Sequence, residues 1–251
     1  MGASTLKSPR AKPATDPYAA PALEKGLDIL ELLANEPDGL TQSHIADRLG
    51  RSHPEIFRML LCLQRRGYLR RVSPGETFEL SAKLFELSHR HPPTRSLLDA
   101  ALPVLRSLAV AMNQSCHLAV AHEQELLVVA NIEGPGPRTF SVRVGARFPL
   151  AETTSGHVLL AWREPPHAAP AALRSHLERV RRRGYQQQRS QSVRGVIDLS
   201  CPIRDGRGGV VAAMTIPYLR PRGEDVSQVE TARGLLVDAA SRLSANLGFA
   251  S

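Results

Sequence analysis

From Leu23 the apolar positions recur at three- and four-residue intervals (Leu23, Leu27, Leu30, Leu33), which predicts an amphipathic helix starting near Pro21. Turn residues from Asn35 to Gly39 end it. Thr41 reads as the N-cap of a short helix Gln42–Leu49, with Ile45, Ala46 and Leu49 on one face and Gly50 as its stop. Ser52 caps a third helix, with Pro54 in the first turn, where a missing N–H costs little. Its buried stripe is Ile56, Met59, Leu60 and Leu63, and Gly67 ends it. Tyr68–Val72 and Thr77–Leu80 flank the turn Ser73-Pro74-Gly75-Glu76, which predicts a two-stranded hairpin. Three short helices and a hairpin, with a tight turn between helices two and three, make a winged helix-turn-helix over residues 21–80.

Residues 81–93 read as a linker helix and hinge, ending in His89-Arg-His-Pro92-Pro93. Beyond it, Leu97, Ala101, Leu105, Leu108 and Met112 give a long amphipathic helix. Strand-like runs follow at Cys116–Ala121, Leu126–Ile132 and Thr139–Val144, the last two separated by the turn Gly134-Pro-Gly-Pro137. Next come a helix Ser155–Trp162, an Ala/Pro linker and a helix near Ala171–Arg183. Strands Val196–Ile203 and Val210–Ile216 flank the turn Asp205–Gly209, and a last helix runs from about Asp225 to Leu247. Residues 94–251 are therefore expected to be an α+β domain with a mainly antiparallel sheet. Residues 1–20, rich in Ala, Pro, Ser, Thr and Lys without periodicity, read as a disordered arm.

Composition narrows the class. No apolar run approaches the roughly 18 residues of a membrane span. The N-terminus has no signal-peptide core, and Leu6 stands where a myristoylation pattern needs Ser or Thr. Cys62, Cys116 and Cys201 are scattered, without a C-x-x-C pair, so neither a disulfide framework nor a zinc knuckle is expected. A soluble, cytoplasmic, basic protein follows. No catalytic constellation emerges either. Cys116 and His117 are adjacent on a strand and point to opposite faces. His89 and His91 lack further ligands at metal spacing. Gly206-Arg-Gly-Gly209 lies between strands and reads as a turn. No enzyme activity, metal or cofactor is expected.

The net charge of +8 is less informative than its distribution. Residues 41–71 hold seven arginines (48, 51, 58, 65, 66, 70, 71) against Asp47 and Glu55, a local +5. Residues 174–194 hold another seven (174, 179, 181, 182, 183, 189, 194) against Glu178, a local +6. The first run falls on the helix-turn-helix and wing. The second is left open as an exposed face, a subunit contact or a bias toward acidic ligands.

Four stretches carry a family resemblance: ALEKGLDILELLA (22–34), HIADRLGRSHPEIFRMLLCLQRRGYLRR (44–71), GARFPLAETTSGHVLLA (145–161) and RRGYQQQRSQSVRGVIDLSCPIRDGRGGVVAAMTI (182–216). In this order and spacing they resemble the IclR family of bacterial transcriptional regulators over residues 20–248. The resemblance implies a dimer, or dimer of dimers, that binds palindromic operator DNA and answers to a small-molecule effector, a small organic acid above all, in a GAF-like domain.

Candidate DNA contacts follow from a helix entering the major groove. Arg58 can pair with guanine and Glu55 with cytosine N4, and His53 shares their exposed face. Arg51, Ser52, Thr41 and Gln42 can hold phosphates. Arg65 lies at the helix end, where dipole complementation also explains a cation, and Arg70 and Arg71 open the wing. For the effector, Thr154, Ser155 and Gly156 precede a helix N-terminus able to receive an anion. The resemblance places Val196, Asp198 and Thr215 in the ligand cavity, with Phe148 as a further apolar wall. His157 and Gln188 join the set, where relatives commonly have Lys or Arg and an acidic cluster respectively. Asp198 leaves a cation, a hydroxylated ligand or a ligand bridged by Arg189 or Arg194 all open. Two other readings remain: a C-terminal domain that only oligomerises, and a small-molecule enzyme or carrier with a vestigial helix-turn-helix.

Overall fold

The structure is a computed structural model and describes residues 20–72, 76–90, 92–137, 139–163, 171–190, 193–219 and 226–250. The expected disordered arm, the Pro74-Gly75 hairpin tip, His91 and the Ala/Pro linker lie outside these residues, except for Ala20 at the arm's end. The chain divides after Arg90 into two compact units.

The first unit contains α1 (Pro21–Leu33), α2 (Gln42–Leu49), α3 (His53–Arg65), β1 (Leu69–Val72), β2 (Thr77–Leu80) and α4 (Lys83–Arg90). Strands β1 and β2 pair antiparallel, and Leu40 bridges to Phe78 beside them. Ile29, Leu33, Ile45, Ala46, Ile56, Leu60, Leu69 and Phe78 form its core. The stripe expected on α1 holds at its C-terminal end, where Leu33 is buried and Leu30 packs on the core, but not at its start: Leu23 is 63% and Leu27 48% exposed, whereas Ile29 is fully buried. Lys25, one turn before Ile29, is held by Glu55 of α3.

The second unit begins with α5 (Pro92–Met112), so the expected hinge at Pro92-Pro93 is the first turn of a helix. Then follow β3 (Cys116–His122), β4 (Glu125–Ile132), β5 (Arg147–Pro149), α6 (Thr154–Ala161), α7 (Arg174–Arg183), β6 (Gln186–Arg189), β7 (Val196–Arg204), β8 (Val210–Leu219) and α8 (Val226–Asn246). The sheet has the order β5-β4-β3-β8-β7-β6, and every pair is antiparallel. One face packs under α5 and α8 through Leu105, Leu118, Met214, Ile216 and Leu236. The other packs under α6 and α7 through Leu126, Val128, Val158, Leu159 and Leu177.

Two strand expectations change. Thr139–Val144 is irregular; the strand that pairs with β4 is Arg147–Pro149, after the turn at Gly145. Gln186–Arg189, with no apolar alternation to announce it, forms the opposite edge strand.

Candidate nucleic-acid interface and effector site

In the first unit, α2 and α3 meet at a built turn. Thr41 Oγ1 accepts from the His44 N–H at 3.3 Å, and Gly50 takes the left-handed conformation (φ 61°) that starts the turn. Gln42 Nε2 donates to the His53 carbonyl at 3.3 Å, tying the two helices. At the start of α3, the Ser52 N–H and hydroxyl both donate to Glu55 Oε2, at 3.2 and 2.7 Å. Glu55 Oε1 takes the Lys25 ammonium at 2.6 Å. Lys25 first and Ser52 second hold the Glu55 carboxyl down to about 2. Both Glu55 oxygens are thus engaged inside the protein, which makes it the residue that fixes α3 on α1 rather than a group free for a cytosine. The Lys25–Glu55 tie spans 30 positions and had no signal in the sequence.

Arg51, His53, Arg58 and Arg65 are exposed, and the three arginines form no ion pair with any described residue. Arg70 is clamped by Glu79 through Nε and Nη2, at 3.1 and 2.7 Å. Arg71 pairs with Glu76 at 2.8 Å and lies over the Phe78 ring. The free cations sit on α3 and the turn before it, while those of the wing are tethered.

In the second unit, strand register assembles a polar row that crosses five strands. Asn131 pairs with His117, His117 with Thr215, Thr215 with Ser200, and Ser200 with Gln186. Directly paired residues share a face, here the one under α6. The Thr215 hydroxyl is the hub, 3.0 Å from Ser155 Oγ and 2.8 Å from Ser200 Oγ. His117 Nδ1 and Asn131 Oδ1 are buried and have no hydrogen-bond partner among the described residues. Burial pushes the His117 imidazole down to about 4, so it is neutral at pH 7. The place of His117 and Asn131 in this row has no signal in the sequence, since only the register sets His117 beside Thr215 and Asn131 beside His117. Cys116 points to the other face, its Sγ 3.2 Å from the Leu105 carbonyl, and burial raises its thiol to about 12.

Two positions along β7 from Ser200, Asp198 accepts from the Thr154 hydroxyl at 3.5 Å. Burial raises its pKa, opposed by hydrogen bonds from Ser190 and Thr154. Gln188 lies directly opposite on β6, and Val196 is buried on the same side of β7. Thr154, Ser155, Asp198, Gln188, Val196 and Thr215 therefore converge on the α6 face.

Phe148, paired with Leu126, shares this face but lies toward the sheet's other edge. It stands on β5, four strand spacings of about 4.8 Å from β7. Gly156 and His157 serve packing. Helix α6 starts at Thr154, and Thr153 Oγ1 accepts the Gly156 N–H at 3.0 Å, so that donor is unavailable to an anion. A Cβ at Gly156 would stand 2.1 Å from the Leu150 carbonyl oxygen, which only glycine allows. His157 Nε2 donates to Ala151 O at 2.8 Å, leaving Nδ1 to accept from His176 Nε2 at 3.2 Å. Gln186 lies beside this pair, its amide nitrogen donating to Gln188 Oε1 at 3.1 Å.

Comparison with known proteins agrees with both halves. Residues 22–73 match the IclR helix-turn-helix domain, and residues 93–170 and 167–245 match the bacterial transcriptional regulator IclR C-terminal domain. The HTH-type transcriptional regulator KdgR of Escherichia coli is 25% identical over 93% of this chain and 95% of its own. The glycerol operon regulatory protein of Streptomyces griseus is 27% identical over 90% and 96%. Among solved structures, an IclR homolog from Microbacterium hydrocarbonoxydans complexed with 4-hydroxybenzoate superposes with a TM-score of 0.77 at 23% identity, covering 90% of this chain and 98% of that one.

Proposed function

This chain belongs to the IclR family of bacterial transcriptional regulators, and on that premise we propose that it is a cytoplasmic regulator binding a palindromic operator as a dimer or dimer of dimers, released or recruited by a hydroxylated small organic acid. It is a sensor and not an enzyme: its buried polar groups hold a ligand rather than activate one. The observation that carries the effector half is the pair of unpartnered buried atoms, His117 Nδ1 next to the Thr215 hydroxyl hub and Asn131 Oδ1 one strand further along the same row. Each unsatisfied buried group costs about 1–3 kcal/mol. A ligand hydroxyl donating to either atom recovers that cost, and the Ser155 and Ser200 hydroxyls fix its orientation. The relative crystallised with 4-hydroxybenzoate supports this class of ligand, an acid that carries a hydroxyl.

On the DNA side, α3 enters the major groove with Arg58 and His53 toward base edges. Arg51 and Arg65 take phosphates, with Ser52, Thr41 and Gln42 setting the geometry of the turn that presents them. The tethered Arg70 and Arg71 lie along the flanking backbone. Leu23 and Leu27, the exposed leucines of α1, supply an apolar contact for a second copy. Effector binding on the α6 face favours one of two states linked through residues 81–105, with a coupling of about 1–3 kcal/mol.

A thermal-shift screen of hydroxylated aromatic and aliphatic acids, followed by operator anisotropy with each hit, tests the reading. The expected result is a hit that raises the melting temperature of the wild type, not of His117→Leu, and changes operator affinity. No hit at all would favour a domain that only oligomerises, and a hit without effect on DNA would favour a carrier.

A further inference from the structure

A cavity of about 260 Å³ lies away from the α6-face row, between the far end of β7 and the last turns of α8. Strand β6 covers β7 only from Ile197 to Ser200, so from Cys201 to Arg204 β7 has no outer strand among the described residues. The backbone there is closed by side chains instead. Pro202 has no N–H, and the Arg204 N–H donates to Ser244 Oγ at 3.0 Å. The opening left between β7, α8 and Gly184 is the cavity.

Its walls are chemically divided. Cys201, Val237, Ala240 and Phe249 give an apolar side, and burial keeps Cys201 a thiol, its pKa pushed up to about 12. The other side is the Arg204 guanidinium. Its carbon lies 5.1 Å from the Trp162 ring centroid and 5.5 Å from that of Phe249, and Nη1 donates to the Gly208 carbonyl at 3.1 Å. Phe249 is placed by the C-terminal cap of α8, where Gly248 is left-handed (φ 89°) and the Phe249 N–H donates to Ser244 O at 3.0 Å. Arg204 thus sits in a rigid aromatic bracket, and no carboxylate among the described residues pairs with it. Burial first, and the charge of Arg181 second, lower its pKa.

We propose that this cavity is a second small-molecule site, taking a monocyclic organic anion whose carboxylate or phosphate meets Arg204 and whose ring lies on Val237, Ala240 and Phe249. The volume, below the drug-sized range, suits one ring with one anionic group. A guanidinium already oriented by stacking loses little freedom on binding such a group. Ser241, on the rim, adds a hydroxyl. The site is independent of the α6-face reading, since neither Thr215 nor His117 lines it.

Trp162 is the sole tryptophan of the chain, so its emission reports on Arg204 directly. The full-length protein is titrated with benzoate, phenyl phosphate and the neutral benzyl alcohol. Saturable changes are expected with both anions and none with benzyl alcohol. Arg204→Met should weaken anion binding by at least about tenfold, the scale of a charge-assisted contact. Val237→Phe, which fills the cavity and leaves Arg204 in place, should do the same, and Thr215→Val should leave binding within about twofold. No saturable response to either anion, an equal response to benzyl alcohol, or binding lost in Thr215→Val but kept in both cavity variants would overturn the proposal.

Discussion

Replacing His117 by leucine removes a buried imidazole whose Nδ1 has no partner and substitutes an apolar group of similar size. At pH 7.5 the wild type carries the cost of that unpartnered nitrogen, about 1–3 kcal/mol, which the leucine does not. His117→Leu should therefore be more stable, with a melting temperature higher by about 2–4 °C for each kcal/mol in a unit of this size. The pH dependence sharpens the prediction. Burial depresses the imidazole from its ordinary 6.5 to about 4, so the unfolded chain binds the extra proton first as pH falls. Wild-type stability is thus drained between pH 6.5 and 4, by about 3 kcal/mol at 1.36 kcal/mol per unit, and the loss levels off below 4. Other titrating groups are common to both proteins and cancel in their difference. Urea unfolding of the two proteins from pH 7.5 to 4.5 measures that difference, which should widen as pH falls. A stability difference that is zero or independent of pH would refute the burial of a neutral His117, and with it the unsatisfied row on which the effector reading stands.

Gly156→Ala should destabilise the protein by about 1–3 kcal/mol, read as a lower urea midpoint, because its Cβ would press into the Leu150 carbonyl. Arg58→Ala should cost about 1–3 kcal/mol at the preferred operator and flatten the preference at one base pair of each half-site, measured by anisotropy on single-base variants. Arg51→Ala should instead weaken all sequences alike and lower the slope of log affinity against log salt by about one. Glu55 has a lowered pKa, so its contribution is present above its ordinary 4.5 and is lost as pH falls toward 2; Glu55→Gln should abolish that part of the acid unfolding curve.

Local periodicity made the first unit legible. Thr41, Gly50 and Ser52 punctuate α2 and α3 in the sequence as they do in the structure, because caps and left-handed stops are short-range chemistry. The start of α1 was not legible, since Leu23 and Leu27 continue the leucine spacing yet stand exposed, while Ile29 takes the core position beside Leu30 and Leu33. In the second unit the long strands announced themselves, but Gln186–Arg189 is polar at every position and Arg147–Pro149 is only three residues long. The family resemblance directed attention to Val196, Asp198 and Thr215, and the register puts them on one face of the sheet. The place of His117 and Asn131 was not legible, because their meaning depends on which residue of β8 and β4 stands opposite, and that register is set by the whole sheet. The distance of Phe148 from β7 was not legible either, because strand order places four strand spacings between them.

The most direct test of a regulator that reads DNA through α3 is selection of preferred sites from a random duplex library by the wild type and by Arg58→Ala. The wild type should recover a two-fold symmetric site, and Arg58→Ala a site of the same half-site spacing with one position in each half relaxed. An unchanged preference in Arg58→Ala, or no preference in the wild type, would contradict the placement of α3 in the major groove.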